Sequence, residues 1–262
     1  MDGVNKTLYI PLYGKSFVSR KGIILHDPKA EDIWEKEGFE LKGKSRSKWL
    51  SYNMAMRARV FDDWTRSMIR KDPDSIVLHI GCGLDSRCVR VEERCAGWYD
   101  CDFPDVLKIR SQYYQESDNY HMIPLDSSDI EQIRALPDST GAIVVLEGIS
   151  MYLTSDELKG SLAALHEKYE TLHILMDVYT VFGARASKYK NPINDVGVTT
   201  VYGIDDIEGL VKDTGISVKA EHSITPGNLI DELEPSERRF FRTMFTGKSY
   251  RRIYRLYELV CE

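Results

Sequence analysis

The sequence predicts an α/β fold built on a doubly wound, seven-stranded, mostly parallel sheet. Two observations carry that expectation. From about residue 75 short apolar runs alternate with helix-like segments, and strand–helix alternation of this period gives a parallel sheet with helices on both faces. The first run then breaks on Gly81-Cys82-Gly83 and passes into a charged, helix-like stretch. Glycine there lets the backbone approach a ligand without a Cβ in the way.

The elements follow in order. Residues 1–72 read as a helical N-terminal cap. In it, PKAEDIWEKEGF combines a proline-led start, early acids and a glycine stop. SKWLSYNMAMRARVFDDWTRSMIRK is a longer helix, with Leu50, Met54, Val60, Phe61, Trp64 and Met68 at roughly helical spacing. Residues 73–262 form the sheet core. Its candidate strands are 76–80, 97–102, 120–125, 142–147, 172–178, 216–223 and 254–260, with helices near 85–94, 104–117, 128–135 and 155–169. The segment before the last strand is long enough for that strand to run antiparallel. Residues 180–203, polar and aromatic, have the size of a lid or binding loop. The expectation is one domain over 1–262.

Composition narrows the function. Hydrophobic residues make up 42% of 262, enough for a sizeable core. The net charge of −6 argues against a general nucleic-acid binder. The basic run KGKSRSK, 42–48, reads as a solvated loop. Cys82, Cys88, Cys95, Cys101 and Cys261 include no C-x-x-C pair and no zinc-like Cys/His spacing, so no metal is expected. An odd cysteine count, no apolar leader and no membrane-length apolar run lead to the expectation of a cytoplasmic protein with reduced thiols and no membrane partner. The oligomeric state stays open.

Acids at strand ends point to the ligand. Asp102 closes the second strand 21 positions after Gly81, the place where a carboxylate meets ribose hydroxyls. Either a dinucleotide or S-adenosylmethionine satisfies that. Asp85 sits where a pyrophosphate would need free amides, and Ser86 replaces the third glycine of a dinucleotide turn. Both favour S-adenosylmethionine, although Asp85 equally suits a helix cap. Asp126 and Ser127 end the third strand, where they suit an adenine edge or an N-cap. Glu147 follows four apolar residues at the fourth rim, where an unpartnered carboxylate is costly. Met151 and Tyr152 come next and suit either a transfer pocket or the core.

Seven ordered pieces carry a resemblance: TLYIPLYGKS with LHDPKAE, MRARVFDDW, HIGCGLDSR, YDCDFPDVLKIR, PLD, LEGISMYL and VYGIDDIEGL. Together they resemble the leucine carboxyl methyltransferase family, in its bacterial polyketide O-methyltransferase branch. Cys82 and His79 are small departures from the usual pattern. The resemblance implies a Rossmann-like class I methyltransferase fold, S-adenosylmethionine as cofactor with S-adenosylhomocysteine as product, and a small-molecule acceptor methylated on a carboxylate or hydroxyl. It implies that Arg59 grips the methionyl carboxylate, with Lys15 assisting, and that the Gly81 carbonyl holds the ammonium. It assigns ribose to Asp102, adenine to Asp126 and Ser127, and the methionyl amine to Glu147. Cys82, Gly83, Asp85 and Phe103 complete the cofactor set, and Met151, Tyr152 and Tyr202 the acceptor pocket.

Transfer would proceed by in-line displacement at the sulfonium, with alignment as the main source of rate. A carboxylate acceptor needs no base; a phenol could use one such as His26. The sequence singles out no catalytic base. Two other readings stand beside this one: a non-catalytic S-adenosylmethionine sensor or scaffold, and an NAD-dependent oxidoreductase on the same sheet.

Overall fold

The computed structural model describes residues 7–187 and 200–261. Helices pack on both faces of one sheet, giving three layers. Its strands are β1 (Ile76–Ile80), β2 (Gly97–Asp102), β3 (Tyr120–Pro124), β4 (Gly141–Leu146), β5 (Thr171–Tyr179), β6 (Ser217–His222) and β7 (Tyr254–Cys261). They lie in the order β3-β2-β1-β4-β5-β7-β6. The first five pair in parallel, and β7 inserts antiparallel between β5 and β6, with Asp177 opposite Leu256. All seven predicted strands are present at nearly the expected bounds. β1 and β4 are wholly buried, and apart from His79 in β1 both are apolar runs.

The chain proceeds outward from β1 through β2 to β3, then returns to β4 and β5 on the other side. The strand order therefore reverses between β1 and β4, where a crevice opens beyond the carboxyl ends of the strands. Tight turns line it. Gly81 and Gly148 both take positive φ, +72° and +71°, which an L side chain adopts at a cost. A Cβ on Gly81 would also lie 2.6 Å from Ile149 Cδ1.

Three N-terminal helices cover the crevice. They are α1 (Tyr9–Lys21), α2 (Pro28–Glu37) and α3 (Lys48–Lys71), with a 3-10 turn at Gly43–Arg46. The α2 start has Asp27 accepting from the Ala30 N–H at 2.9 Å, ahead of Pro28. Helix α3 presents Phe61, Trp64 and Met68 to the sheet, whereas Leu50 and Met54 line the crevice. On the sheet's outer layers run α4 (Arg87–Arg90), α5 (Pro104–Arg110), α6 (Ile130–Arg134) and α7 (Ser155–Lys168). The first two are shorter than the sequence predicts. Glu92 at φ +52° stops the segment after α4. Helix α5 relaxes into tight turns through Tyr113, which lets Arg110 reach inward to Asp100.

Helix α8 (Val181–Ser187) lies within the predicted lid, so its first part is helical and not loop; half of that segment (188–199) lies outside the described residues, and α9 (Ile207–Val211) follows it. Between β6 and β7 come α10 (Gly227–Ile230), α11 (Pro235–Phe245) and α12 (Gly247–Arg251), which the sequence reading left as a linking segment. No helix among the described residues is long and apolar enough to cross a membrane.

Candidate active site

The crevice is a cavity of about 1250 Å³, larger than the roughly 300–1,000 Å³ of a typical small-molecule site. One end is acidic and glycine-rich, and is built from the strand termini. The other is apolar, and is built from α3, α11 and the start of β7.

A continuous network of buried charges underlies the polar end. Glu147, the first residue beyond β4, accepts from Arg57 Nε at 2.9 Å and also from Arg87. Arg57 donates Nη1 to Asp177 at 2.9 Å and to the Tyr254 hydroxyl at 2.6 Å. Arg87, wholly buried, also donates to Asp62 at 2.8 Å. Asp62 in turn takes Arg90 at 2.6 Å, and Arg90 reaches Asp27 at 2.7 Å and Asp85 at 3.0 Å. Lys15 closes the chain by pairing with Asp85, which also accepts the Arg87 N–H at 2.6 Å. Burial alone would raise the carboxyls of Asp85 and Glu147, but the surrounding cations overcome it and hold both below the ordinary carboxylate range.

Asp102 makes no ion pair among the described residues, and Arg110 acts on it only from a distance. The Asp102 oxygens accept the Gly83 N–H at 2.7 Å and the Phe103 N–H at 2.8 Å. Burial raises its carboxyl above the ordinary value, against the pull of those amides. Beyond β3, Asp126 spends Oδ1 on the Ser128 N–H and hydroxyl, at 2.9 and 2.7 Å. Its Oδ2 carries no hydrogen bond among the described residues, and neither does the Ser127 amide hydrogen. Both residues line the cavity. An uncommitted acceptor and an uncommitted amide donor side by side match the amino group and ring nitrogen of a purine edge.

At the apolar end Trp49, Phe240, Met244 and Phe245 form the walls. Trp49 and Phe240 lie with ring centroids 4.3 Å apart. Asn53, Tyr250 and Tyr152 bring polar atoms into this region. Burial pushes the Tyr152 hydroxyl up to about 12.

Residues 5–166 match the family model described as leucine carboxyl methyltransferase. The chain belongs to the leucine carboxyl methyltransferase family. It is an S-adenosylmethionine-dependent methyltransferase, and the oxidoreductase and non-catalytic readings fall with that membership. Among its relatives is the tetracenomycin polyketide synthesis O-methyltransferase TcmP of Streptomyces glaucescens, 28% identical over 244 residues, 91% of this chain and 89% of the relative. The S-adenosyl-L-methionine-dependent methyltransferase dpfgK of Gibberella zeae is 27% identical over 175 residues, covering 60% and 59%. Solved structures share the fold at low identity. Magnesium protoporphyrin IX methyltransferase of Synechocystis, solved with bound S-adenosylmethionine, has a TM-score of 0.53 at 12% identity, covering 88% of this chain and 90% of that one. A Mesorhizobium loti S-adenosylmethionine-dependent methyltransferase reaches 0.55 at 10%, covering 76% and 96%.

Most residues expected from the methyltransferase sequence meet at the cavity: Lys15, Gly81, Cys82, Gly83, Asp85, Asp102, Phe103, Asp126, Ser127, Glu147, Met151 and Tyr152 all line it. Two do not. Tyr202 is 42% exposed and reaches the site only through its N–H, which donates to the Met151 carbonyl at 2.8 Å. Arg59 lies on the outer face of α3, paired with Asp63 at 2.9 Å and donating to the Ile24 carbonyl at 3.2 Å. The inward arginine of MRARV is Arg57. Two positions on a helix point about 200° apart, so only one of the pair can face the site. Sequence reasoning also missed Asp177, Arg87 and Tyr254. The rule that singled out Glu147, a carboxylate after an apolar run, applies equally to Asp177 in LHILMDV.

Removing Arg87 while leaving Glu147 and Asp62 buried should cost about 3–5 kcal/mol. Arg87→Leu is expected to lower the midpoint of thermal unfolding at pH 7 by on the order of 10 °C. Glu147 is held low in the folded state, so its share of that stability is present above the unfolded carboxylate range and lost on acidification. The gap between variant and wild type should therefore narrow as pH falls below about 4.

Proposed function

We propose that the protein transfers the methyl group of S-adenosylmethionine to the carboxylate oxygen of a small, largely apolar acceptor, giving a methyl ester. The observation that carries this is the state of the titratable groups at the cavity. Glu147 and Asp85 are held ionised by arginines and lysine and are poor proton acceptors. Tyr152 and Tyr250 are pushed up by burial and keep their protons. His79 is pinned behind the turn against Arg87 at 2.9 Å, and burial lowers it. Such a site suits a nucleophile that arrives ionised, as a carboxylic acid does at neutral pH and a phenol does not.

The cofactor supplies an electrophilic methyl on a sulfonium. The protein binds, orients and excludes water. Asp102 is placed to accept from ribose hydroxyls, and Asp126 Oδ2 with the Ser127 amide frames adenine. The carbonyl rim at Gly81 takes the ammonium. Arg57 has Nε and Nη1 committed to Glu147, Asp177 and Tyr254, and its Nη2 passes Gly148, where a Cβ would come within 3.2 Å. That free edge is the one we assign to the methionyl carboxylate, in place of Arg59. Glu147 then acts by orienting Arg57, and Lys15 by fixing α1 over the turn through Asp85. The whole chain serves as one catalytic unit, and its five free cysteines suit a reducing cytoplasm.

Arg57→Ala should weaken S-adenosylhomocysteine binding at least tenfold, about the worth of a charged hydrogen bond, whereas Arg59→Ala should leave it within about twofold. Calorimetric titration of both variants checks this, and equal losses would remove the assignment.

The raised Asp102 carboxyl protonates before Asp85 or Glu147 as pH falls. Affinity for S-adenosylhomocysteine should accordingly decline on acidification at a pH above the ordinary aspartate value, while the fold persists. Asp102→Asn should bind more weakly at neutral pH and show a flat profile. A wild-type profile as flat as the variant's would contradict the ribose role.

A radiometric screen of aromatic and aliphatic acids against matched phenols tests the reaction. Base-labile methyl esters are the expected products; methyl ethers alone would overturn the proposal.

A further inference from the structure

Helix α3 connects the two ends of the cavity. One turn before Arg57 it carries Asn53, which is 96% buried at 4% exposure and lines the cavity. Its side-chain amide donates to the Tyr250 hydroxyl at 2.6 Å. Tyr250 also lines the cavity, braced edge-on by the Phe245 ring at 6.0 Å and 67°. Among the described residues neither side chain has another polar partner. Tyr250 keeps its proton because burial raises it, and Arg57 and Asp177 are among the charges it senses.

Hydrogen-bond counting then leaves a surplus donor. If the Asn53 amide donates to Tyr250, the phenolic proton is left over. If the amide is turned and accepts from Tyr250, its N–H₂ is left over. Either way at least one N–H or O–H faces a cavity whose neighbouring walls are apolar. Leaving such a donor without a partner is costly once the cavity is closed to water. Trp49, Phe240, Met244 and Phe245 surround it, and Phe240 and Met244 are 44% and 54% exposed in the free protein.

Building on the carboxylate reading above, we propose that Asn53 and Tyr250 anchor the acceptor. The surplus donor holds the carboxylate oxygen that does not attack, one helical turn from Arg57, while Trp49 and the Phe240–Phe245 face of α11 clasp a flat apolar body. Two oxygens are then distinguished: one is fixed by the pair and the other is free to take the methyl. The selectivity is for an anionic, ring-bearing acid over its neutral counterpart, because only the anion forms a charge-assisted bond to the pair.

The test uses the full chain saturated with S-adenosylhomocysteine, and two probes of the same shape, 2-naphthoate and 2-naphthalenemethanol. Binding is read by tryptophan fluorescence and calorimetry. Wild type should prefer naphthoate. Tyr250→Phe and Asn53→Asp should each weaken naphthoate at least tenfold, roughly the value of a hydrogen bond to a charged group, with 2-naphthalenemethanol and S-adenosylhomocysteine changed less than about twofold. Asn53→Asp is isosteric and sets like charges face to face, so it reports the anion directly. Unchanged naphthoate affinity in both variants, or no binding of either probe to wild type, would overturn the anchor. A wild-type preference for the alcohol, lost equally in both variants, would keep the anchor and overturn the carboxylate reading instead.

Discussion

The pairing of Arg57 with Glu147 is the interaction on which the site depends. It ties α3, which runs across the mouth of the crevice, to the end of β4, which forms its floor. Arg87 binds the other Glu147 oxygen and brings in the turn after β1. Asp177 and Tyr254 bind the other side of Arg57 and bring in β5 and β7. Four parts of the fold thus converge on one guanidinium. Burying these ions carries a large desolvation penalty, and matched geometry offsets it. A network of this kind is weak evidence for stability alone; its consequence here is that the orientation of Arg57 is fixed before any ligand arrives.

The same logic divides the cavity into two chemistries. Where charges are mutually satisfied, as at Asp85 and Glu147, the groups orient and do not exchange protons. Where a group is left with spare capacity, as at Asp102, Asp126 Oδ2, the Ser127 amide and the Asn53–Tyr250 pair, it is available to a ligand. The distinction follows from counting hydrogen bonds. In the proposed reading it separates residues that support the site from those that would contact a ligand.

The sheet was legible because its strands are buried apolar runs bounded by glycines and acids, and because crossover geometry leaves few orders for parallel strands. The N-terminal cap was legible from helix periodicity in α3, but its facing was not. MRARV carries two arginines of equal chemistry, and only packing shows that Arg57 is inside and Arg59 outside. Helix α11 is not legible from sequence, because SERRFFRTMF reads as a charged surface segment until the cavity behind it is seen. In the sequence Asp85 reads as an anion at the glycine turn; in the fold it is paired with Lys15 and Arg90. Ion pairs between residues 70 positions apart are not visible in local sequence, and that is where most of the site's electrostatics lies.

The most direct test of this account is a crystal structure of the protein with S-adenosylhomocysteine. The methionyl carboxylate is expected within hydrogen-bond distance of Arg57 Nη2, with Arg57 Nε still on Glu147 and the Ser127 amide on an adenine nitrogen. A carboxylate held elsewhere, or an Arg57 that has left Glu147 to reach it, would contradict the claim that the buried network sets the site in advance.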